Sequence, residues 1–233
     1  LYTGIAVLLA VSILIIVLNR STPEDKRQTY SFAEGLKEIE NIDREYNTSF
    51  RTERLNNTVV SRENIPLMLE DIKQFEAGIR PMNDDDTRAL LLFIDARKLM
   101  LVTQWYWQYA DEIGDVGLVI DQNGFNCAEA EYVTDATYYF NETLGYGLLA
   151  VKELDALLGN YRHVDGMLEG VGVDANKPEF YRSHLDYIGG MVQNNVFYLE
   201  KLCGIQIQLE DTSTFLDQNK VKAIESLYLP QEK

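Results

Sequence analysis

Histidine and cysteine each occur only twice among the 233 residues, and proline five times. Two His and two Cys cannot build a His/Cys zinc site with ligands to spare. No phosphate loop, nucleophile elbow, HExxH pair or Rossmann glycine pattern occurs, so neither a cofactor nor an enzymatic reaction is expected. Basic residues are scarce, with 21 Lys and Arg against 37 Asp and Glu, a net charge of −16. That balance excludes nucleic acid as the main partner, because phosphate binding depends on Lys and Arg.

The scarcity is uneven. Residues 99–151 hold no Lys, Arg or His at all, yet carry Asp111, Glu112, Asp115, Asp121, Glu129, Glu131, Asp135 and Glu142. A cation site or a docking face for a basic partner is one reading of such a run. Asp111, Asp115, Asp121 and Asn123 are then the first candidate ligands, since they surround one loop. Against it, Asp121-Gln122-Asn123-Gly124 lacks the remaining ligands of an EF-hand loop. A solvated acidic face is the plainer reading.

What the chain does have is one long apolar run. Residues 1–18 (LYTGIAVLLAVSILIIVL) are uncharged, with Tyr2, Thr3 and Ser12 as their only polar side chains. About 17–20 such residues suffice to cross a bilayer. The run stops at Asn19-Arg20-Ser21, and Leu18-Asn19-Arg20 offers no small-residue cleavage site of the kind a removable signal peptide carries. A single-pass signal-anchor is therefore expected at residues 1–19, contacting lipid through 1–18, with 20–30 as a juxtamembrane linker. Arg20, Lys26 and Arg27, taken alone, favour a cytoplasmic location for the chain beyond them. Three weaker features point outward: the acidity beyond residue 23, the sequons at Asn47, Asn56 and Asn141 (a fourth, at Asn19, lies too near the membrane to count), and the two Cys.

Beyond Tyr30 the pattern is helical. Ser31-Phe32-Ala33-Glu34 has the form of a capping box, and Phe32, Leu36, Ile39, Tyr46 and Phe50 follow at helical spacing. Ile65, Met68, Ile72, Phe75 and Ile79 make a second seam, with Pro66 in its first turn and Pro81 beyond its end. Asp84-Asp85-Asp86 opens a third helix, its acids favourable against the N-terminal dipole. That helix is expected to run to about Ile113 and is apolar nearly all round. Asp95, Arg97 and Lys98 in its middle would each cost about 2.5–3.5 kcal/mol at a bilayer centre, so it reads as the buried central helix. A loop over 114–126, with a short extended piece at 117–121, leads to a fourth helix capped by Asn126 and ending near Leu158. An irregular, glycine-rich connection spans 159–177. A fifth helix starts at Pro178 and ends before Gly204, and Thr212 to Leu229 suggests a last one. The fold expected is all-α: a transmembrane helix, then an antiparallel bundle of five to six helices over residues 31–229.

Cys127 starts the fourth helix and Cys203 ends the fifth. In an antiparallel hairpin these ends adjoin, provided that rises of ~48 Å and ~36 Å are reconciled by a turn of helix in the connection. A disulfide between them is expected, with two buried thiols as the rival reading. Trp105, Trp107 and Tyr109 crowd the end of the central helix, and Tyr132, Tyr138, Tyr139, Phe140 and Tyr146 the next one. Positions 105, 106 and 107 cannot share one helix face. Core packing is the favoured account, and a recognition surface at Trp105, Trp107 and Tyr109 the sharper one. His163 and His184 have Asp165 and Asp186 nearby but stand in no Glu-x-x-His arrangement.

These features suggest a membrane-anchored, acidic helical domain at the cell surface, outside the cytoplasm, with a structural or protein-interaction role. Its partner would be a protein, for which a basic surface is the natural complement, and self-association is compatible with it. A ligand- or cation-sensing domain is the first alternative. A surface-filament subunit assembled through its apolar N-terminal helix is the second.

Overall fold

The computed structural model describes residues 27–46, 61–117, 120–121, 124–170 and 178–209. The anchor expected at 1–19, the sequons at Asn19, Asn47 and Asn56, and the helix expected over 212–229 lie outside these residues. Among the described residues no helix is long and apolar enough to cross a membrane, the central one included.

The described chain is all-α apart from one two-residue hairpin. Helix α1 is Phe32–Glu45, α2 Ile65–Ala77, α3 Asp85–Gly117, α4 Ala130–Asn160, α5 Asp165–Gly170 and α6 Pro178–Cys203. The capping box forms: Ser31 Oγ accepts from the Glu34 amide at 3.3 Å, and Glu34 Oε2 accepts from the Ser31 amide at 2.9 Å. Those bonds favour the ionised Glu34, whose carboxyl is held below its ordinary range by the Ser31 amide and then its hydroxyl. Helix α3 begins where its acids predict, with Asp84 accepting from the Thr87 amide at 2.8 Å. It continues to Gly117, one turn beyond the expected end, before strands β1 (Ile120–Asp121) and β2 (Gly124–Phe125) pair antiparallel. Asn126 caps a 3-10 turn over Cys127–Glu129, accepting from the Ala128 amide at 3.1 Å. The connection expected to be irregular carries a 3-10 turn at Arg162–Val164 and then α5.

Cross-contacts set the directions of the helices. Between α1 and α3 the partners advance together, from Phe32 beside Asp86 to Asp43 beside Arg97, so the two run parallel. Glu76 of α2 meets Lys98, while Arg62, just before α2, meets Glu112, so α2 runs antiparallel to α3. Helix α4 also runs antiparallel to α3, with Trp107 against Phe140 near one end and Asp86 against His163 at the other. Helix α6 returns along α4, from Arg182 beside Asp155 to Cys203 beside Cys127.

Helix α3 is thus enclosed. On one side Leu90, Phe93, Ile94, Leu101 and Trp105 join Phe32, Ile39, Met68 and Ile72 of α1 and α2. On the other, Ala96, Leu99, Met100 and Trp107 join Phe140, Leu154, Ile188 and Val192 of α4 and α6. A helix covered on both flanks must be apolar nearly all round, which is the pattern its sequence carries.

Among the described residues two helix pairs come close at glycine, α1 and α3 where Gly35 faces Leu90, and α4 and α6 at Gly147. A Cβ placed on Gly147 of α4 would stand 2.3 Å from Leu185 Cδ2 of α6. Overpacking of this kind typically costs about 1–3 kcal/mol. Gly147→Val is therefore expected to lower the urea midpoint by that equivalent with an unchanged m-value. A variant as stable as the parent would mean that Leu185 repacks freely.

Past Cys203 the chain reverses at Gly204, whose φ of 68° is left-handed and suits glycine. Ile205 and Ile207 then pack on Ala130, Val133 and Leu199, and Leu209 reaches the α3–α4–α6 core. This is the alternation seen in the sequence at 205, 207 and 209, used as an extended strap.

Candidate functional site

The three charges inside α3 are all partnered. Arg97 donates to Asp43 of α1 at 2.7 Å, and both side chains are almost fully buried, at 6% and 2% exposure. Lys98, 3% exposed, lies 2.8 Å from Glu76 of α2 and 2.7 Å from Asp95 on its own helix. Burial opposes the charge on Lys98, but Asp95 and Glu76 more than reverse that, and its ammonium group is held above the ordinary lysine range. Sequence reading marked these charges as unfit for a bilayer centre. It did not find their partners, because Asp43 and Glu76 look like surface acids of amphipathic helices.

Two turns further along, α3 carries its aromatic cluster. Trp105, Tyr106 and Trp107 are 3%, 7% and 4% exposed, so all three consecutive rings are buried. Trp105 and Tyr106 pack in the core toward α1 and α2, and Trp107 in the core toward α4 and α6. Consecutive residues cannot share a helix face, and enclosure on both flanks removes the need for them to do so. Trp105 and Trp107 are core residues and present no recognition surface. Tyr109 is half-buried, stacked on Trp105 at 5.2 Å and edge-on to Tyr139 at 4.6 Å. The Arg62 guanidinium lies 4.8 Å from its ring centroid and pairs with Glu112 at 3.0 Å.

Deeper in the α3–α4 seam, Tyr106 and Tyr146 stack at 5.2 Å. Burial, then the neighbouring Tyr146 and Glu142, push the Tyr106 phenol far above its ordinary range. Burial and Glu142 push Tyr146 the same way, and burial with Tyr109 and Asp135 does so for Tyr139. These rings stay neutral at physiological pH, so they pack and hydrogen-bond without supplying a phenolate base.

The acids of the run whose side chains are described have different surroundings. Glu142 is 8% exposed between tyrosines, Glu112 is held by Arg62, and Asp111 is exposed on α3. Asp115 falls one turn later on α3 and Asp121 in β1, while Asn123 lies outside the described residues. Among the described residues no three His, Cys, Asp or Glu side chains gather as a metal group would require.

The histidines also find partners other than their sequence neighbours. His163 Nε2 meets Asp86 in the first turn of α3 at 3.2 Å, rather than Asp165. His184 stands edge-on to Trp107 at 6.3 Å. Glu153 is an acid whose surroundings oppose its charge. Burial first, and then Asp95, raise its carboxyl above the ordinary range, with Lys152 opposing. A raised carboxyl binds more protons in the folded than in the unfolded chain, so its cost to stability is full above the folded pKa and vanishes below the unfolded one. Glu153→Gln is expected to raise the melting temperature at pH 7, and the gain should disappear below about pH 4. A gain independent of pH would assign the effect to packing instead.

The bridge between Cys127 and Cys203 is formed, with Cα atoms 5.5 Å apart and the two residues 76 positions apart in sequence. The helical turns at 162–170 supply the extra length that an antiparallel hairpin with these ends requires. Asn141, in contrast, is 5% exposed within α4 and Thr143 is fully buried, so this sequon cannot carry a glycan in the folded protein. No protein-family model matches the chain, and no curated protein or solved structure is similar to it.

Proposed function

We propose that the protein is anchored in a membrane through residues 1–18 and displays an acidic, disulfide-closed helical bundle outside the cytoplasm, where it serves a structural or protein-interaction role. The observation that carries this reading is the Cys127–Cys203 bridge, since disulfides persist in oxidising compartments and are rare in the cytosol. The apolar run at residues 1–18 supplies the anchor in this reading, and its length is near the minimum for a span. The buried Asn141 removes one of the sequons that pointed the same way. The bundle's charge supports a role at protein surfaces rather than on nucleic acid: residues 81–233 hold 25 acidic and 11 basic side chains.

The test is topology. With the native cysteines paired, a single cysteine introduced by Gln231→Cys provides a thiol near the C-terminus. In intact cells it is expected to react with a membrane-impermeant maleimide without prior permeabilisation. Labelling that requires permeabilised cells would place the bundle inside and sink the proposal. Recovery of the protein in the supernatant after carbonate washing would sink the anchor.

A further inference from the structure

We propose that the outer face of α6 is a self-association surface, on which the α6 helices of two copies of this chain pair antiparallel. This deepens the interaction role proposed above by naming the partner, and it holds whether or not residues 1–18 sit in a membrane.

Helix α6 carries two seams. One, through Leu185, Ile188, Val192 and Leu199, is buried against the bundle. The other consists of Ser183, Tyr187, Gly190, Asn194, Phe197 and Lys201, which alternate at steps of four and three residues along the opposite side. That is the heptad rule for a helix facing a second helix. All six are exposed or half-exposed, and Tyr187 and Phe197 are among the most exposed large side chains, at 61% and 55%, although the Tyr187 ring also lies 6.3 Å from that of Trp107 at the edge of the seam. A lone exposed aromatic needs no account, but two on one heptad seam do.

Gly189 and Gly190 provide a second observation. A glycine inside a helix weakens it, and is usually kept there for a close approach by something else. Among the described residues nothing approaches: a Cβ on either would meet no atom of theirs within 4 Å. Gly147, by comparison, is closely covered by Leu185.

The occupant follows from self-complementarity. If two α6 helices pair antiparallel about a two-fold axis near residue 192, the layers are Tyr187 with Phe197, Gly190 with Asn194, and Ser183 with Lys201, each occurring twice. The aromatics then face each other, and each glycine receives the longer Asn194 of the second copy. Lys201 reaches the flank that carries Glu179 and Asp186, both exposed, on the second copy. In a parallel pair Lys201 would face Lys201, a repulsive arrangement on a seam with no other cation. An acidic protein thus has a surface on which two copies meet without setting acid against acid in the seam. One helix face, ~39 Å long for 26 residues, is small for an interface, so an affinity on the order of micromolar is expected.

The experiment is sedimentation equilibrium of the full chain in mild detergent at roughly 1–100 μM, a range chosen to bracket that affinity. The wild type is expected to approach the mass of two chains. Phe197→Asp and Gly190→Leu should weaken the dimer at least tenfold with helix content unchanged, whereas Leu67→Asp, on exposed α2 surface, should not. Lys201→Glu should weaken it as well, and adding Glu179→Lys and Asp186→Lys to Lys201→Glu should restore it. A monomeric wild type overturns the proposal, as does a dimer indifferent to Phe197→Asp and Gly190→Leu. A dimer strengthened by Lys201→Glu overturns the antiparallel arrangement. None of these outcomes bears on the topology of the anchor, which the labelling experiment reads separately.

Discussion

Removing the Cys127–Cys203 bridge by the paired change Cys127→Ala and Cys203→Ala is expected to cost the bundle about 4 kcal/mol. The bridge closes a loop of 76 residues. In the chain-entropy account such a loop removes about 4.5 kcal/mol of conformational freedom from the unfolded chain. The loop takes in all of α4, α5 and nearly all of α6, so the unfolded state loses the freedom of most of the second half of the protein. For a chain of this size each kcal/mol lowers the melting temperature by about 2–4 °C, so a fall of roughly 10 °C is anticipated. Calorimetry of the double-alanine protein, and of wild type before and after reduction, measures it. A shift below about 2 °C would mean that the two helices hold their register without the bridge.

Asp43→Ala is expected to cost about 3–5 kcal/mol, because it leaves the buried Arg97 guanidinium without that carboxylate. The pair is buried, with side chains 6% and 2% exposed, and it ties α1 to α3 at one register. A surface pair of the same length would contribute at most about 1 kcal/mol, so burial decides the size of the effect. Replacing both partners by apolar residues, Asp43→Leu with Arg97→Met, should recover most of the loss, since two desolvated charges are then removed together. Urea unfolding of the two singles and the double closes the cycle. Additive losses in the double variant would show that the two residues act independently and that water shields each of them.

The helices were legible because their punctuation is local. The capping box at Ser31 and Glu34, the acids at Asp84–Asp86, the Asn126 cap and Gly204 each satisfy or reverse backbone groups within a few residues. The heptad seams of α2, α4 and α6 likewise follow from one periodicity. The cysteine pairing was legible for a related reason: the two residues stand at the ends of neighbouring helices, and an antiparallel hairpin leaves little choice. The turn over 162–170 was harder to see, because its glycines resemble those of a loop.

The candidate site was far less legible. Trp105 and Trp107 resemble contact residues in sequence, since three adjacent aromatics cannot share one face. Whether both faces of a helix are covered depends on how five other segments pack, and no window of residues records that. The surroundings of two of the acids have the same origin: Glu112 is held by Arg62 from a distant turn, and Glu142 is buried near Tyr106 and Tyr146. His163 lies beside Asp86, 77 residues away, rather than beside Asp165.

The sequence by itself determined the all-helical character of the described bundle, the order and approximate ends of its five longer helices, the acidity of the chain and the pairing of its two cysteines. The tertiary structure decided which charges are buried, which aromatics are core and which face of α6 stays open. The division follows from range. Backbone capping and periodic burial act between residues a few positions apart, whereas burial of a charge or ring depends on surfaces brought together from distant parts of the chain.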